Sequence, residues 1–250
     1  MVKRDELVRY LDRKLNLAGF AGDMSNNGLQ IEGAAEVRKI AVGVDGCLAL
    51  FERAAEAGAQ MVIVHHGISW GSEPRRFTGL AAARLRAMFG HDISLYAAHL
   101  PLDAHPELGN NAELCRIAGL TDLVPCCNYH GLDIGFAGKF AEPVTLGELA
   151  ARFGFAGTFY GDPARKLSTA TAVSGGGGQD ALYDALDRGA DVLITGEFSH
   201  EMYHAVKESG LAVLPLGHYA SETYGIRAVL ADLLRNFPLE GEFIDLPTGL

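Results

Sequence analysis

Buried-looking apolar runs and helical repeats of apolar positions alternate along most of this chain. Leu7, Val8, Leu11 and Leu15 recur at helical spacing among charged residues, which predicts an amphipathic helix over about 3–15. A Ser25-Asn26-Asn27-Gly28 loop leads into Leu29-Gln30-Ile31. Lys39 to Asp45 reads as a buried strand, Leu48 to Ala57 as a helix stopped by Gly58, and Val62-Ile63-Val64 as a second buried strand ending on His65-His66. Strand, helix and strand make a βαβ unit, which implies a parallel pair. A loop with Glu73-Pro74, a helix from about 79 to 89, a strand from Ile93 to Ala98 and a helix from about Asn111 to Ala118 come next. Leu132 to Phe140 reads as a strand, and Thr145 to Phe153 as a short helix with Thr145 and Glu148 in capping-box spacing.

From Ala170 the order recurs. Thr171 to Ser174 predicts a strand, Gly175 to Gly178 a turn, and the residues to Arg188 a helix before a strand over Asp191–Thr195. Gly58-Ala59 through His65-His66 aligns with Gly189-Ala190 through Gly196-Glu197. A helix over about 199–209, a strand over Leu211–Leu214, a helix from about Ser221 to Phe237 and a strand over Gly241–Leu246 complete the pattern. Each half carries a strand running into His-x-x-x-acid, His99 with Asp103 and His218 with Glu222. The expected fold is α/β: two related halves, 1–130 and 131–250, built on duplicated βαβ-type units and packed around a central metal-binding cleft.

Charge narrows the partners. With 31 acidic and 21 basic residues the net charge is −10 and no basic run stands out, which disfavours nucleic acid. The charged start and the lack of eighteen consecutive apolar residues argue against a signal peptide and a membrane span, so a cytoplasmic protein is expected. Cys47, Cys115, Cys126 and Cys127 form no C-x-x-C pair; they read as reduced thiols, and a zinc–cysteine site is not expected.

The candidate chemistry lies at the strand ends. Two adjacent histidines on one strand serve a single site only if the chain bends after Val64, and Gly67 permits a bend. If the repeat folds as argued, the cleft collects His65, His66, Asp103, His218 and Glu222, with His99 and Glu197 nearby. Imidazoles and carboxylates without thiolates suit iron, manganese, zinc or cobalt. Five or more such groups exceed the three that a mononuclear catalytic zinc needs, so two ions are the more economical reading. Each residue also has a plainer role: Asp103 could hold a turn, His218 and Glu222 could be an ordinary i, i+4 pair, and Asn26 and Asn27 could be turn residues. The glycine run could cradle a phosphate or simply turn the chain. His200-Glu201-Met202-Tyr203-His204 matches H-E-x-x-H on a predicted helix, the zinc metalloprotease pattern, but that reading leaves His65, His66 and the repeat unexplained.

Asn27-Gly-Leu-Gln30, Val64-His-His66, His99-Leu-Pro-Leu-Asp103, Leu108-Gly-Asn-Asn111, Thr195-Gly-Glu197 with Ser199-His200, and Gly217-His218 with Ser221-Glu222 together resemble the Nif-three-like family of dinuclear-metal proteins. Many of its members are labelled GTP cyclohydrolase I type 2 homologues. The resemblance covers nearly the whole chain, in the short form without a central insertion. It implies two α/β halves around a dinuclear site, a toroidal hexamer, and metal ligands at His65, His66, Asp103, His218 and Glu222. Gly67 stands where proline is frequent, and Glu201 where a second histidine often follows the first. The implied activity is metal-dependent hydrolysis of a nucleotide or related small molecule. By residue type His99 or His200 could shuttle protons, and Arg75 or Arg76 are the nearest cations for an anionic substrate, with a solvated loop charge as their plainer role. The contrasting expectation is a non-catalytic metal-binding scaffold or regulatory adaptor.

Overall fold

The computed structural model describes residues 1–71 and 76–250, and the expected loop at Glu73-Pro74 and the cation Arg75 lie outside the described residues. The chain forms two compact units. One comprises Met1–Leu102 with Ile226–Leu246, the other Asp103–Gly225 with Pro247–Leu250.

In the first unit β1 (Val2–Lys3) pairs antiparallel with β3 (Glu36–Val37), flanking the amphipathic α1 (Arg4–Lys14), which buries Leu7 and Leu11. The main sheet contains β2 (Gly28–Ile31), β4 (Lys39–Asp45), β5 (Met61–His66), β6 (Ser94–Ala97) and β12 (Glu240–Phe243), in the order β12-β4-β5-β6-β2. Strands β4, β5 and β6 run parallel, as the βαβ pattern predicts, and only β2 is antiparallel. The central strands are buried nearly throughout because both faces are covered, whereas edge strand β12 alternates between exposed and half-buried positions. α2 (Leu48–Glu56) supplies Leu50, Phe51 and Ala54 to a core that also holds Ala41, Val62, Val64, Leu95 and Ala97. α3 (Gly79–Gly90) connects β5 to β6.

The short α4 (Leu100–Asp103) leads into the second unit, whose elements begin with α5 (Asn110–Ala118), closed by Gly119 in the left-handed conformation (φ 74°). β7 (Leu120–Tyr129) and β8 (Leu132–Thr145) form a hairpin, followed by α6 (Leu146–Arg152), β9 (Lys166–Val173), α7 (Gly178–Asp187), β10 (Val192–Thr195), α8 (Tyr203–Ser209) and β11 (Ala212–Pro215). The sheet order is β11-β10-β9-β8-β7, with β9, β10 and β11 parallel. The parallel trio β9-β10-β11 thus repeats β4-β5-β6, while the flanking strands differ. α9 (His218–Asn236) starts in the second unit and from Ile226 onward groups with the first.

β7 was not expected. Its sequence shows no alternation and contains Pro125, which an edge strand tolerates because no ladder hydrogen bond is required of its missing N–H. The hairpin turn places His130 (φ 51°) and Gly131 (φ 88°) together at positive φ, matching the right-handed twist of the flanking strands. The Thr145 capping box is present: Thr145 Oγ1 accepts from Glu148 N at 3.1 Å, and Thr145 N donates to Glu148 Oε2 at 2.7 Å.

Candidate metal centre

In the first unit the parallel strands carry their carboxyl ends to one edge of the sheet. Asp45 ends β4 in register with His66, which ends β5, and His99 lies just beyond β6. His65 is fully buried, and its Nδ1 meets the Ala98 carbonyl at 2.9 Å. A carbonyl only accepts, so Nδ1 carries the proton and Nε2 the lone pair. His66 Nδ1 donates to Asp45 Oδ1 at 2.8 Å, and His99 Nδ1 to Asp23 Oδ1 at 2.9 Å. Oxygen acceptors therefore orient all three rings, in the way that carboxylates and carbonyls orient metal-ligating histidines. One ligand atom from each ring lies within 4.8 Å of the other two. The ring centroids of His65 and His66 are 4.5 Å apart, so the two neighbouring rings lie together.

Gly67 contributes by close approach, since its φ is not positive. A Cβ there would stand 2.4 Å from the Gln30 amide, whose Oε1 accepts from Ile68 N at 2.8 Å and whose Nε2 donates to Asn26 O at 2.9 Å.

Sequence reasoning missed Asp23 and Asp45. Asp23 accepts from His99 Nδ1, from Asn27 Nδ2 at 2.8 Å, and from the backbone N–H groups of Ser25 and Leu100, each at 3.0 Å. Its side chain is 1% exposed. Burial alone would raise its pKa, but the hydrogen bonds from His99 and Asn27, the electrostatic attraction of the His99 ring and the Ser25 N–H together hold it at about 2. Asn27 is part of this arrangement as well, because its Oδ1 accepts from His99 N at 2.7 Å. Asp45 had a usable signal: it is an acid at the end of the strand paired with the His-His strand.

In the second unit His218 stands at the start of α9 between two carboxylates. Its Nδ1 donates to Glu197 Oε1 at 2.6 Å and its Nε2 faces Glu222 Oε1 at 3.3 Å. The Glu222 contact raises its pKa; burial opposes and Glu197 adds, leaving it at about 9. A cation that takes Nε2 must therefore displace a proton. Asp103 and Glu222 are buried, with carboxylate oxygens within 4.8 Å of each other. Asp103 Oδ1 accepts from Asn110 Nδ2 at 2.9 Å and Ser174 Oγ at 3.0 Å. Asn110 Oδ1 in turn accepts from Gly225 N at 2.8 Å, and Asn111 Oδ1 from Ser174 N at 2.6 Å. The Asn-Asn pair thus ties this arrangement together.

The glycine run has a specific role at its first position. Gly175 has φ 59°, and a Cβ there would stand 2.2 Å from Glu222 Oε1 and 3.2 Å from His218 Nε2. The backbone makes the space that the two ligand-type side chains occupy.

His200 and Glu201 lie in a short 3-10 turn (His200–Met202), and His204 belongs to α8, which begins only at Tyr203. The H-E-x-x-H therefore does not ride on one continuous α-helix. All three side chains are exposed, and among the described residues no metal-capable group includes them. Arg76 is exposed.

The chemistry of these donors fits borderline divalent ions: neutral imidazoles with oriented lone pairs in one unit, buried carboxylates and an imidazole in the other. The fold and these groups define an α/β protein with two mixed sheets, each built on a parallel trio of strands, and histidine–carboxylate clusters able to hold metal. The chain belongs to the Duf34/NIF3 (NGG1p interacting factor 3) family, whose profile matches residues 2–248. A relative from Pyrococcus abyssi named GTP cyclohydrolase 1 type 2 homolog is 40% identical over 263 residues, covering 100% of both chains. One of the same name from Escherichia coli is 40% identical over 253 residues, covering 98% of this chain and 99% of its own. Among solved structures, protein ybgI, described as of unknown function, is 38% identical with a TM-score of 0.90 and full coverage of both chains. TTHA1606 from Thermus thermophilus is 41% identical with a TM-score of 0.89, again with full coverage of both. Among the described residues no helix is long and apolar enough to cross a membrane.

Proposed function

We propose that this chain is a dinuclear-metal hydrolase of a nucleotide or related small molecule, with His65, His66, Asp103, His218 and Glu222 as ligands. The observation that carries the reading is the orientation of the three imidazoles of the first unit, each held through Nδ1 by an oxygen acceptor with one ligand atom per ring gathered within 4.8 Å. The ligand assignment rests on the sequence resemblance; the buried Asp103 and Glu222 and the space at Gly175 support it. When bound, iron, zinc, manganese or cobalt would supply Lewis acidity and acidify water near neutral pH.

The chain's own residues do the rest. Asp45 and the Ala98 carbonyl keep His66 and His65 in the tautomer that presents Nε2. Asp23 holds the His99 ring, and His99 moves a proton at its Nε2. The name borne by the relatives points to GTP as the nucleotide, and opening of its purine ring by hydrolysis would begin at C8 of guanine. The proposed assembly is a toroidal hexamer, as the resemblance implies.

The test is elemental analysis of protein purified without a metal-affinity tag, run beside His65→Ala, Glu222→Ala and His99→Ala. About two equivalents of a transition metal in the wild type are expected, lost or halved in the first two variants. His99→Ala should keep its metal and lose hydrolysis of nucleotides or phosphoesters about 10²–10⁴-fold. Folded wild type that takes up no metal sinks the reading, and loss of metal in His99→Ala makes His99 a ligand instead.

A further inference from the structure

Away from the histidines, the second unit gathers two thiols and a carboxylate. Cys126 and Cys127 lie on edge strand β7, where neighbouring side chains of a regular strand would point to opposite faces. Cys127 instead adopts φ 57°, a conformation uncommon for any residue but glycine. Both thiols are buried, with their Sγ atoms 3.5 Å apart. Across the hairpin, Gly135 leaves the space that Cys127 uses, since a Cβ there would stand 3.0 Å from Cys127 Sγ and 2.7 Å from the Ala172 carbonyl. Asp184 of α7 completes the group, with ligand atoms of all three residues within 4.8 Å of one another. Its Oδ2 accepts from Cys127 N at 3.2 Å and from Arg188 Nε at 2.7 Å, the kind of outer contact that orients a ligating carboxylate.

We propose that Cys126, Cys127 and Asp184 bind one thiophilic divalent cation of the zinc and cadmium type. The charges favour that valence: two thiolates and a carboxylate are balanced by a divalent ion together with the Arg188 guanidinium. A monovalent ion would leave net negative charge in an apolar surrounding that includes Val173, Leu182 and Leu193. The spacing agrees, because two sulfurs bound tetrahedrally to zinc stand about 3.8 Å apart, close to the separation already present. The hydrogen bond with Cys126 and burial both push the Cys127 thiol up, so Cys127 is a poor nucleophile. Binding replaces the two thiol protons, which pass to solvent, with the cation, and no electron is transferred. Neither the missing C-x-x-C pattern nor the adjacency of the two cysteines announces this, since Asp184 joins them only through the fold.

The site shares no residue with the histidine and carboxylate groups above, and its test reads sulfur alone. Reduced full-length protein is titrated with cadmium while the ultraviolet thiolate-to-metal charge-transfer band is followed, a band that imidazole and carboxylate ligands do not produce. The band should saturate at about one equivalent, persist in His65→Ala and vanish in the Cys126→Ser/Cys127→Ser double variant. Arg188→Gln, at a partly exposed position that leaves the core intact, should weaken cadmium binding at least about tenfold. A folded wild type that shows no band, or a band that survives the double serine variant, overturns the proposal.

Discussion

At Gly175 the choice of residue is decided by two neighbours and one torsion. The methyl group of alanine would collide with Glu222 at a positive φ that alanine adopts poorly. Gly175→Ala is therefore expected to lower stability by about 1–3 kcal/mol, read from the urea midpoint, and to displace Glu222 enough to reduce metal content. An unchanged midpoint with full metal content would show that the backbone can move aside.

Asp23 is the other residue whose environment makes a measurable claim. Its folded pKa of about 2 lies below its ordinary 3.8, so its contribution to stability is present above about pH 3.8 and is lost as pH falls through about 2. Asp23→Asn should flatten the acid limb of the stability profile in that window and loosen His99, seen as a changed imidazole nitrogen shift by NMR. A variant whose acid limb matches the wild type would mean that the carboxylate is no better stabilised folded than unfolded.

At the scale of single elements, α6 offers the cleanest case. Its capping box was legible because Thr145 and Glu148 act within one turn, and each satisfies a backbone or side-chain group of the other. Thr145→Ala should cost about 1 kcal/mol by chemical denaturation while leaving metal content untouched. The parallel strands β4 and β5 were equally legible, since strands buried on both faces read as unbroken apolar runs. β7 was not, because an edge strand with Pro125 and a shift of register between Thr121 and Val124 has no period to read. The 3-10 turn at His200 was likewise hidden: a five-residue motif specifies spacing, whereas helix type depends on how the chain enters α8.

For the molecule as a whole, the proposed centre makes metal part of the folding equilibrium. Dialysis against a chelator should lower the melting temperature, and returning the ion should restore it, because a ligand that binds only the folded chain stabilises it by mass action. A melting temperature indifferent to the chelator, in protein shown to have lost its metal, would separate the ions from stability. The proposed hexamer is checked by light scattering of protein eluting from a sizing column, where a mass of one or two chains would refute it.

What the sequence determined by itself was whatever depends on short-range pattern: the amphipathic α1, the buried strands, the capping box, and the recurrence of strand-to-histidine segments that marks the repeat. The same pattern placed His65 and His66 at a strand end and Glu222 at a helix start, whereas the structure begins that helix at His218. The tertiary structure decided everything that depends on register and on steric contact between distant segments. It set Asp45 beside His66 through the pairing of β4 with β5, brought Asp23 and Asn27 to His99, and drew Asp184 to Cys126 and Cys127. It also gave Gly175 and Gly135 their purpose, because the need for a missing Cβ exists only once another side chain has come to fill that space.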